Sequence, residues 1–173
     1  GSLSGLLEAS PKEIASVDGI SVNIGILLTL QRELNKRYIE EKTKSKDKLT
    51  SIDALKDYCI NLLSHQTNEC FYVICFDNRR NILTTQKIAE GTNFATAVPP
   101  KKILETVLLH KAVSVVFAHN HPGGSCRPSV EDIELTVKLV QMLTPIDVDI
   151  IDHIVVGAAR DAFSFVENNL IQK

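Results

Sequence analysis

A short apolar run near the middle of the chain limits what the sequence can fold into. Residues 113–118 read Val-Ser-Val-Val-Phe-Ala, which is too short for a buried helix and rich in β-branched residues. Such runs are typical of strands that are buried on both faces. A helix is predicted before the run, over about 100–109, and another after it, over 133–143. The chain is therefore expected to build its core around a buried strand that is followed by a loop and a helix.

A further helix and a hairpin are predicted ahead of this strand. Thr50 or Ser51 can open a helix that ends near Ser64, with its apolar side chains on one face. Residues 69–76 are predicted to form a strand, and residues 81–88 its hairpin partner after a polar turn. The main core is expected to begin with this helix.

The first 41 residues predict a small helical segment. Ser10, Pro11 and Glu13 have the spacing of a helix start with a capping box, and a turn at Gly19 separates this helix from a second one. The second helix carries an apolar stripe, which needs something to pack against. The stripe consists of Ile24, Leu27, Leu30, Leu34 and Tyr38.

A charged stretch separates this segment from the rest of the chain. Residues 40–48 include no apolar side chain, which is typical of a solvated linker. We therefore place the linker at residues 42–50, between a helical segment over 1–41 and a main domain over 51–173.

Composition excludes some classes of protein. Apolar residues make up 44% of the chain and charged residues 23%, and no apolar run approaches the ~20 residues that span a bilayer, so no membrane partner is expected. A net charge of −2 gives no overall attraction for DNA. The start of the chain carries no secretion signal, so a cytoplasmic location is expected. Three cysteines in apolar segments, Cys59, Cys70 and Cys75, are predicted to be reduced packing residues.

The loop after the central strand carries the residues of a candidate metal site. His119 and His121 lie two apart at the strand's end, where their side chains point the same way. Asp132, in the first turn of the next helix, can add a carboxylate oxygen. Two nitrogens and one oxygen leave a fourth tetrahedral position for water, which is the arrangement of a catalytic zinc site.

Each half of this pattern also has a simpler interpretation. Two histidines fall two residues apart by chance, and Ser129-x-x-Asp132 is an ordinary helix start. Both halves, however, flank a Gly-rich loop that joins an apolar strand to a helix. Their joint occurrence favours the metal site.

The same residues resemble a known family. His119-x-His121, seven residues and then Ser129-x-x-Asp132 resemble the JAMM signature, and the His-Asn-His-Pro and Pro-Ser-x-x-Asp sequences are similar to the RadC family in particular. The likeness covers roughly residues 50–173. Its other matching features are Glu69-Cys70-Phe71, Asp77, Gly91 and the run Asp152-His153-Ile154-Val155-Val156-Gly157.

This resemblance implies a fold, which is an α/β domain with a mixed β-sheet flanked by helices, JAMM/MPN-like and cytidine-deaminase-like. The helical segment over 1–41 is similar to the helix-hairpin-helix-like segment that precedes the RadC catalytic domain. Its turn, however, reads Gly19-Ile20-Ser21, where a DNA-binding hairpin usually has a second glycine.

The resemblance also implies roles for individual residues. His119, His121 and Asp132 would hold a zinc ion, and Glu69 would hydrogen-bond the zinc-bound water and act as general base. Ser129 would donate a hydrogen bond to the developing oxyanion, in addition to or instead of capping its helix. The protein would then be a zinc metalloprotease of the JAMM type, with a peptide or protein as its substrate.

Two other functions stay open at this point. The RadC family's traditional DNA-repair label suggests a nucleic-acid-associated protein or a nuclease that uses the same site, although the basic residues are few and partly neutralised by neighbouring acids. A third interpretation is a scaffold without catalysis, in which the ion only stabilises the loop. The effect of replacing Glu69 on turnover discriminates the enzyme from the scaffold.

Overall fold

A computed structural model describes residues 2–46, 49, 51–91 and 98–171 of the chain. The chain forms two compact units, residues 1–46 and 47–173. Among the described residues, no helix combines the length and the apolar character needed to cross a membrane.

The described residues of the first unit form three helices, α1 (Leu3–Glu8), α2 (Pro11–Ala15) and α3 (Val22–Lys46). The predicted capping box of α2 is confirmed, because the backbone amide of Ser10 donates to the Glu13 carboxylate at 2.7 Å and the Glu13 amide donates to the Ser10 hydroxyl at 3.3 Å. Helices α2 and α3 pack closely at Gly25, where a Cβ atom would lie 2.6 Å from the carbonyl oxygen of Pro11.

The long helix α3 differs from its prediction in one respect. It runs to Lys46 and not to Glu41, so the first part of the predicted linker over 42–50 is helical. Glutamate and lysine have high helix propensities, and a charged run can therefore extend a helix as well as end one. Residues 47, 48 and 50 of the predicted linker lie outside the described residues. The apolar stripe of α3 is exposed along its whole length, from Ile24 at 43% to Tyr38 at 62%.

The second unit combines helices and strands. Within its described residues, the elements in chain order are α4 (Ile52–Leu63), β1 (Cys70–Phe76), β2 (Ile82–Glu90), α5 (Pro100–Leu109), β3 (Ser114–Asn120), α6 (Val130–Leu143), a 3-10 turn (Thr144–Ile146), β4 (Asp149–Val156) and β5 (Ala162–Ser164). Ser51 caps α4, since its hydroxyl accepts from the Ala54 amide at 3.1 Å.

The five strands form one mixed sheet in the order β2-β1-β3-β4-β5. Strand β1 is antiparallel to β2 and β3, β3 is parallel to β4, and β4 is antiparallel to β5. The predicted α/β fold with a mixed sheet flanked by helices is therefore confirmed. Strands β4 and β5 were not predicted from the sequence.

Both faces of the central strands are buried. Alternate residues of β1 enter two hydrophobic clusters, with Ile74 packing in the cluster that includes α4 and Val73 in the cluster that includes α5 and α6. Every residue of β1 and of β3 is buried as a result. The prediction that Cys59, Cys70 and Cys75 are reduced, buried packing residues is confirmed.

Strand pairing brings three distant parts of the sequence to one edge of the sheet. His119 on β3 is opposite Phe71 at the start of β1 and opposite Val155 near the end of β4. The loop after β3 therefore begins beside the first residues of β1 and the last residues of β4.

We expect Ile74→Ala to lower the free energy of unfolding by about 2–5 kcal/mol, because Ile74 is fully buried and its loss leaves a cavity. Urea unfolding measures this change. Leu83→Ala is the control, since Leu83 is 41% exposed on β2 and its truncation should change stability by about 0.5 kcal/mol. Equal losses in the two variants would contradict the position of β1 in the core.

Candidate metal centre

Two imidazole rings meet where β3 ends. The His119 side chain is completely buried, and its Nε2 lies 3.1 Å from Nε2 of the partly exposed His121. His119 stacks on the ring of Phe71, with the ring centroids 6.2 Å apart. The two rings lie together because side chains two apart on an extended chain project to the same side.

Asp132 brings a carboxylate to the same point from the first turn of α6. Its Oδ1 lies 3.3 Å from Nε2 of His119, and its Oδ2 lies 3.4 Å from Nε2 of His121. The carboxylate is also held by the helix start, since the Ser129 amide donates to Oδ2 at 2.7 Å. The same capping box that begins α6 thus aims Asp132 at the two histidines.

The spacing of these atoms fits a tetrahedral ion. A tetrahedral zinc with ligand bonds of ~2.0–2.2 Å separates its ligand atoms by roughly 3.3–3.6 Å. The distances between the two Nε2 atoms and the Asp132 oxygens are 3.1 to 3.4 Å. Among the described residues, His119, His121 and Asp132 form the group of ligand atoms that could hold a metal ion.

The ring of His121 is held in the orientation that a ligand needs. Its Nδ1 lies 2.9 Å from the backbone carbonyl oxygen of Ser125. A carbonyl can only accept a hydrogen bond, so Nδ1 carries the proton in this contact and Nε2 keeps its lone pair in the neutral ring. The loop that supplies Ser125 is itself bonded to the segment after β4, through the Ala158 amide and the Gly124 carbonyl at 2.9 Å.

Burial and charge act on the three groups in different directions. Burial lowers the pKa of His119, against the opposing hydrogen bond and charge of Asp132. The hydrogen bond to Asp132 raises the pKa of His121. Burial would raise the pKa of Asp132, but the adjacent rings of His119 and His121 outweigh it and hold that pKa well below its usual value. The carboxylate is therefore ionised and able to bind a cation.

Glu69 lies beside this group without belonging to it. It immediately precedes β1, its side chain is partly buried, and its backbone carbonyl accepts from the Gly91 amide at 3.0 Å. Its negative charge raises the pKa of both His119 and His121, although more weakly than Asp132 does. Glu69 is thus close enough to act on the site electrostatically, and it is not one of the three ligands.

Asn120, between the two histidines, holds the backbone on both sides of Glu69. Its side-chain oxygen accepts from the Cys70 amide at 2.8 Å, and its side-chain nitrogen donates to the Asn68 carbonyl at 3.0 Å. This contact was not predicted from the sequence. The available signal was the polar Asn120 directly after an apolar run, because a polar side chain in a buried strand needs hydrogen-bond partners.

Comparison with known proteins agrees with this geometry. A family model described as the RadC-like JAB domain matches residues 49–170. A UPF0758 protein of Idiomarina loihiensis is 34% identical over 171 residues, which cover 99% of this chain and 76% of the relative. A UPF0758 protein of Vibrio campbellii shows the same identity and coverage, and one of Haemophilus influenzae is 32% identical over 99% of this chain and 77% of its own length. The chain belongs to the RadC family.

Membership of the RadC family confirms the resemblance seen in the sequence. The matched range contains every candidate site residue named above, from Glu69 to Asp132. Its JAB domain is consistent with the mixed sheet and with the ligand group at the end of β3.

Ser129 lies at the start of α6, where its hydroxyl group is bonded to Asp132. Its hydroxyl donates to Oδ2 of Asp132 at 2.7 Å and accepts from the Asp132 amide at 3.1 Å. The single hydroxyl proton is therefore engaged with Asp132 in this structure. Here Ser129 caps α6 and supports a ligand, and its role as an oxyanion donor stays a prediction.

We expect Gly157→Ala to disturb the loop that follows His121. A Cβ atom at position 157 would lie 2.7 Å from the backbone nitrogen of Cys126, and overpacking of this kind costs about 1–3 kcal/mol. Thermal unfolding should show a lower stability, and competition with a zinc chelator should show a lower zinc affinity. Gly123→Ala is the control in the same loop, because nothing lies within 4 Å of its Cβ position. Equal behaviour of the two variants would contradict the close packing at Gly157.

Proposed function

We propose that this RadC-family domain is a zinc-dependent hydrolase of peptide or isopeptide bonds. The observation that carries the proposal is the group of three candidate ligand side chains at the end of β3, beside the paired strand β1 that Glu69 precedes. Two imidazole nitrogens and one carboxylate form the ligand set of catalytic zinc sites. Magnesium and calcium prefer sites made of oxygen ligands, so this set favours zinc.

In the proposed reaction, the three ligands would hold the zinc ion and Glu69 would transfer protons. When bound, zinc lowers the pKa of a water ligand to about 7 and polarises a carbonyl group. Glu69 would accept the proton of the attacking water and pass it to the leaving amine, as general acid–base catalysis requires. Its backbone is bonded to Gly91 and bracketed by Asn120, which fixes the backbone from which its side chain extends.

A peptide substrate is favoured over a nucleic acid on electrostatic grounds. The net charge of the chain is −2, which gives no overall attraction for a polyanion. Affinity for a polyanion comes mainly from Lys and Arg contacts to phosphates. An amide carbonyl carries no charge and does not need such contacts.

The purified protein is expected to bind about one zinc ion per chain, the stoichiometry of one site with three protein ligands. His119→Ala should lose the ion, since it removes a buried ligand. The zinc content of both proteins is measured by elemental analysis, after zinc has been added back and the excess has been removed. His65→Ala is the control, because His65 is an exposed histidine outside the ligand group. Full zinc content in His119→Ala, or none in the wild type, would overturn the metal assignment.

Glu69→Gln is expected to lower turnover by a factor of about 10²–10⁴, the usual contribution of a positioned acid–base group. Zinc content should not change, because Glu69 is not a ligand. A pooled library of fluorogenic peptides and lysine-linked isopeptides is the substrate, and labelled DNA is assayed in parallel. Glu131→Gln is the matched control, because Glu131 is exposed in the first turn of α6.

Each result of this assay bears on the proposal. Turnover that survives Glu69→Gln would exclude Glu69 as the base. A zinc-loaded wild type that cleaves DNA and no peptide would overturn the substrate class, and one that cleaves neither would favour the scaffold.

A further inference from the structure

A third histidine lies behind the candidate metal site. His153 on β4 is completely buried, and its Nε2 lies 2.8 Å from Nδ1 of His119. It is not part of the ligand group. Its ring is surrounded by the rings of Phe71, Phe117 and Phe165, with centroids 4.6 to 6.0 Å away.

The other nitrogen of His153 contacts Thr136 on α6. The Thr136 Oγ1 lies 2.6 Å from Nδ1 of His153 and 2.6 Å from the backbone carbonyl oxygen of Asp132. A hydroxyl has one proton, and a carbonyl oxygen can only accept. The hydroxyl therefore donates to Asp132, and Nδ1 of His153 must be the donor to Thr136.

The direction of the hydrogen bond at His153 also fixes the direction of the hydrogen bond between His153 and His119. A neutral His153 with its proton on Nδ1 has a lone pair on Nε2, and a charged ring would be costly among three aromatic side chains. Nε2 of His153 therefore accepts from Nδ1 of His119. The Nε2 of His119, which is directed to His121 and Asp132, then carries the lone pair that a metal ligand needs.

The opposite direction of hydrogen bonding, from Thr136 to His153 and from His153 to His119, is disfavoured by the same distances. If Thr136 donated to His153, no proton would lie between the Thr136 hydroxyl and the Asp132 carbonyl, which are 2.6 Å apart. His153 would then donate to His119, and the proton of His119 would be placed on Nε2, where it blocks coordination.

We propose that Thr136 and His153 are positioning residues, which together keep the proton of His119 on Nδ1 and its metal-binding lone pair on Nε2. The inference rests on the metal site of the proposed function and needs no assumption about catalysis. The backbone amide of Phe165 donates to the His153 carbonyl at 3.1 Å, and Asp152 accepts from the Val166 amide at 3.0 Å. These bonds hold the segment after β5, whose Phe165 stacks on His153, and so fix the ring.

The test compares two substitutions of Thr136. Thr136→Val keeps the shape but removes the acceptor for His153, while Thr136→Ser keeps the hydroxyl. Zinc affinity, measured by competition with a chelator, should fall about 10–100-fold in the valine variant, as is usual for a lost partner of a metal ligand. The serine variant should stay within a few fold of the wild type. Thr144→Val is the control, since it removes a similar hydroxyl–carbonyl bond at the other end of α6.

A second measurement reads the protons directly on the metal-free protein. Long-range ¹H–¹⁵N correlation spectra distinguish an imidazole with its proton on Nδ1 from one with its proton on Nε2. His119 and His153 should both carry it on Nδ1 in the wild type and in Thr136→Ser. The spectrum of Thr136→Val should no longer show both histidines with the proton on Nδ1 alone.

Two results would overturn the inference. One is a metal-free wild type in which His119 or His153 carries its proton on Nε2. The other is a folded Thr136→Val protein that binds zinc as tightly as the wild type. If Thr136→Val does not fold, the wild-type spectrum decides alone. A protein with the expected protons and zinc affinity but without turnover would contradict only the proposed hydrolase.

Discussion

The pairing of β3 with β1 on one side and with β4 on the other is the constraint on which the rest of this domain depends. Both faces of β3 are covered by hydrophobic clusters, so the strand cannot shift by one residue without exchanging its two faces. The register places Phe71 and Val155 on either side of His119. Glu69, the loop after β3 and His153 lie near one another because of this register.

The polar residues behind the site are buried in an otherwise apolar core. His119, Asn120, Thr136, Asp152 and His153 are all buried. A buried polar group is unfavourable unless it is hydrogen-bonded, and each of these five has a partner in the sheet or in α6. Because no member can lose its partner without penalty, the network restricts each side chain to one orientation. The side chains of the candidate metal site are thereby held in place by the surrounding structure.

The start of α6 unites a structural and a chemical role. Asp132 completes the capping box of the helix, and its carboxylate also faces the two imidazoles. The positive end of the helix dipole stabilises a negative charge at this position. Capping boxes are common, and this one differs because its carboxylate faces the imidazoles of His119 and His121.

Much of the fold and the grouping of the candidate ligand residues could be predicted because both are encoded locally. The apolar run of β3, the helix starts at Ser10, Ser51 and Ser129, and the His-x-His spacing each depend on neighbouring residues. Predicted strands and helices of the second unit lie within a few residues of the observed ones. The end of α3 was misplaced because lysine and glutamate suit both a helix and a linker.

Tertiary structure alone decided which polar groups meet across the sheet. Asn120 bonds to Cys70 from 50 residues away, and His119 bonds to His153 from 34 residues away. The sequence determined that two imidazoles and a carboxylate could meet around one ion, since strand and helix periodicity fix directions over a few residues. It could not determine that Asn120 brackets Glu69, or that Thr136 and His153 stand behind His119. Those contacts depend on strand order and register, which are fixed by packing over the whole domain.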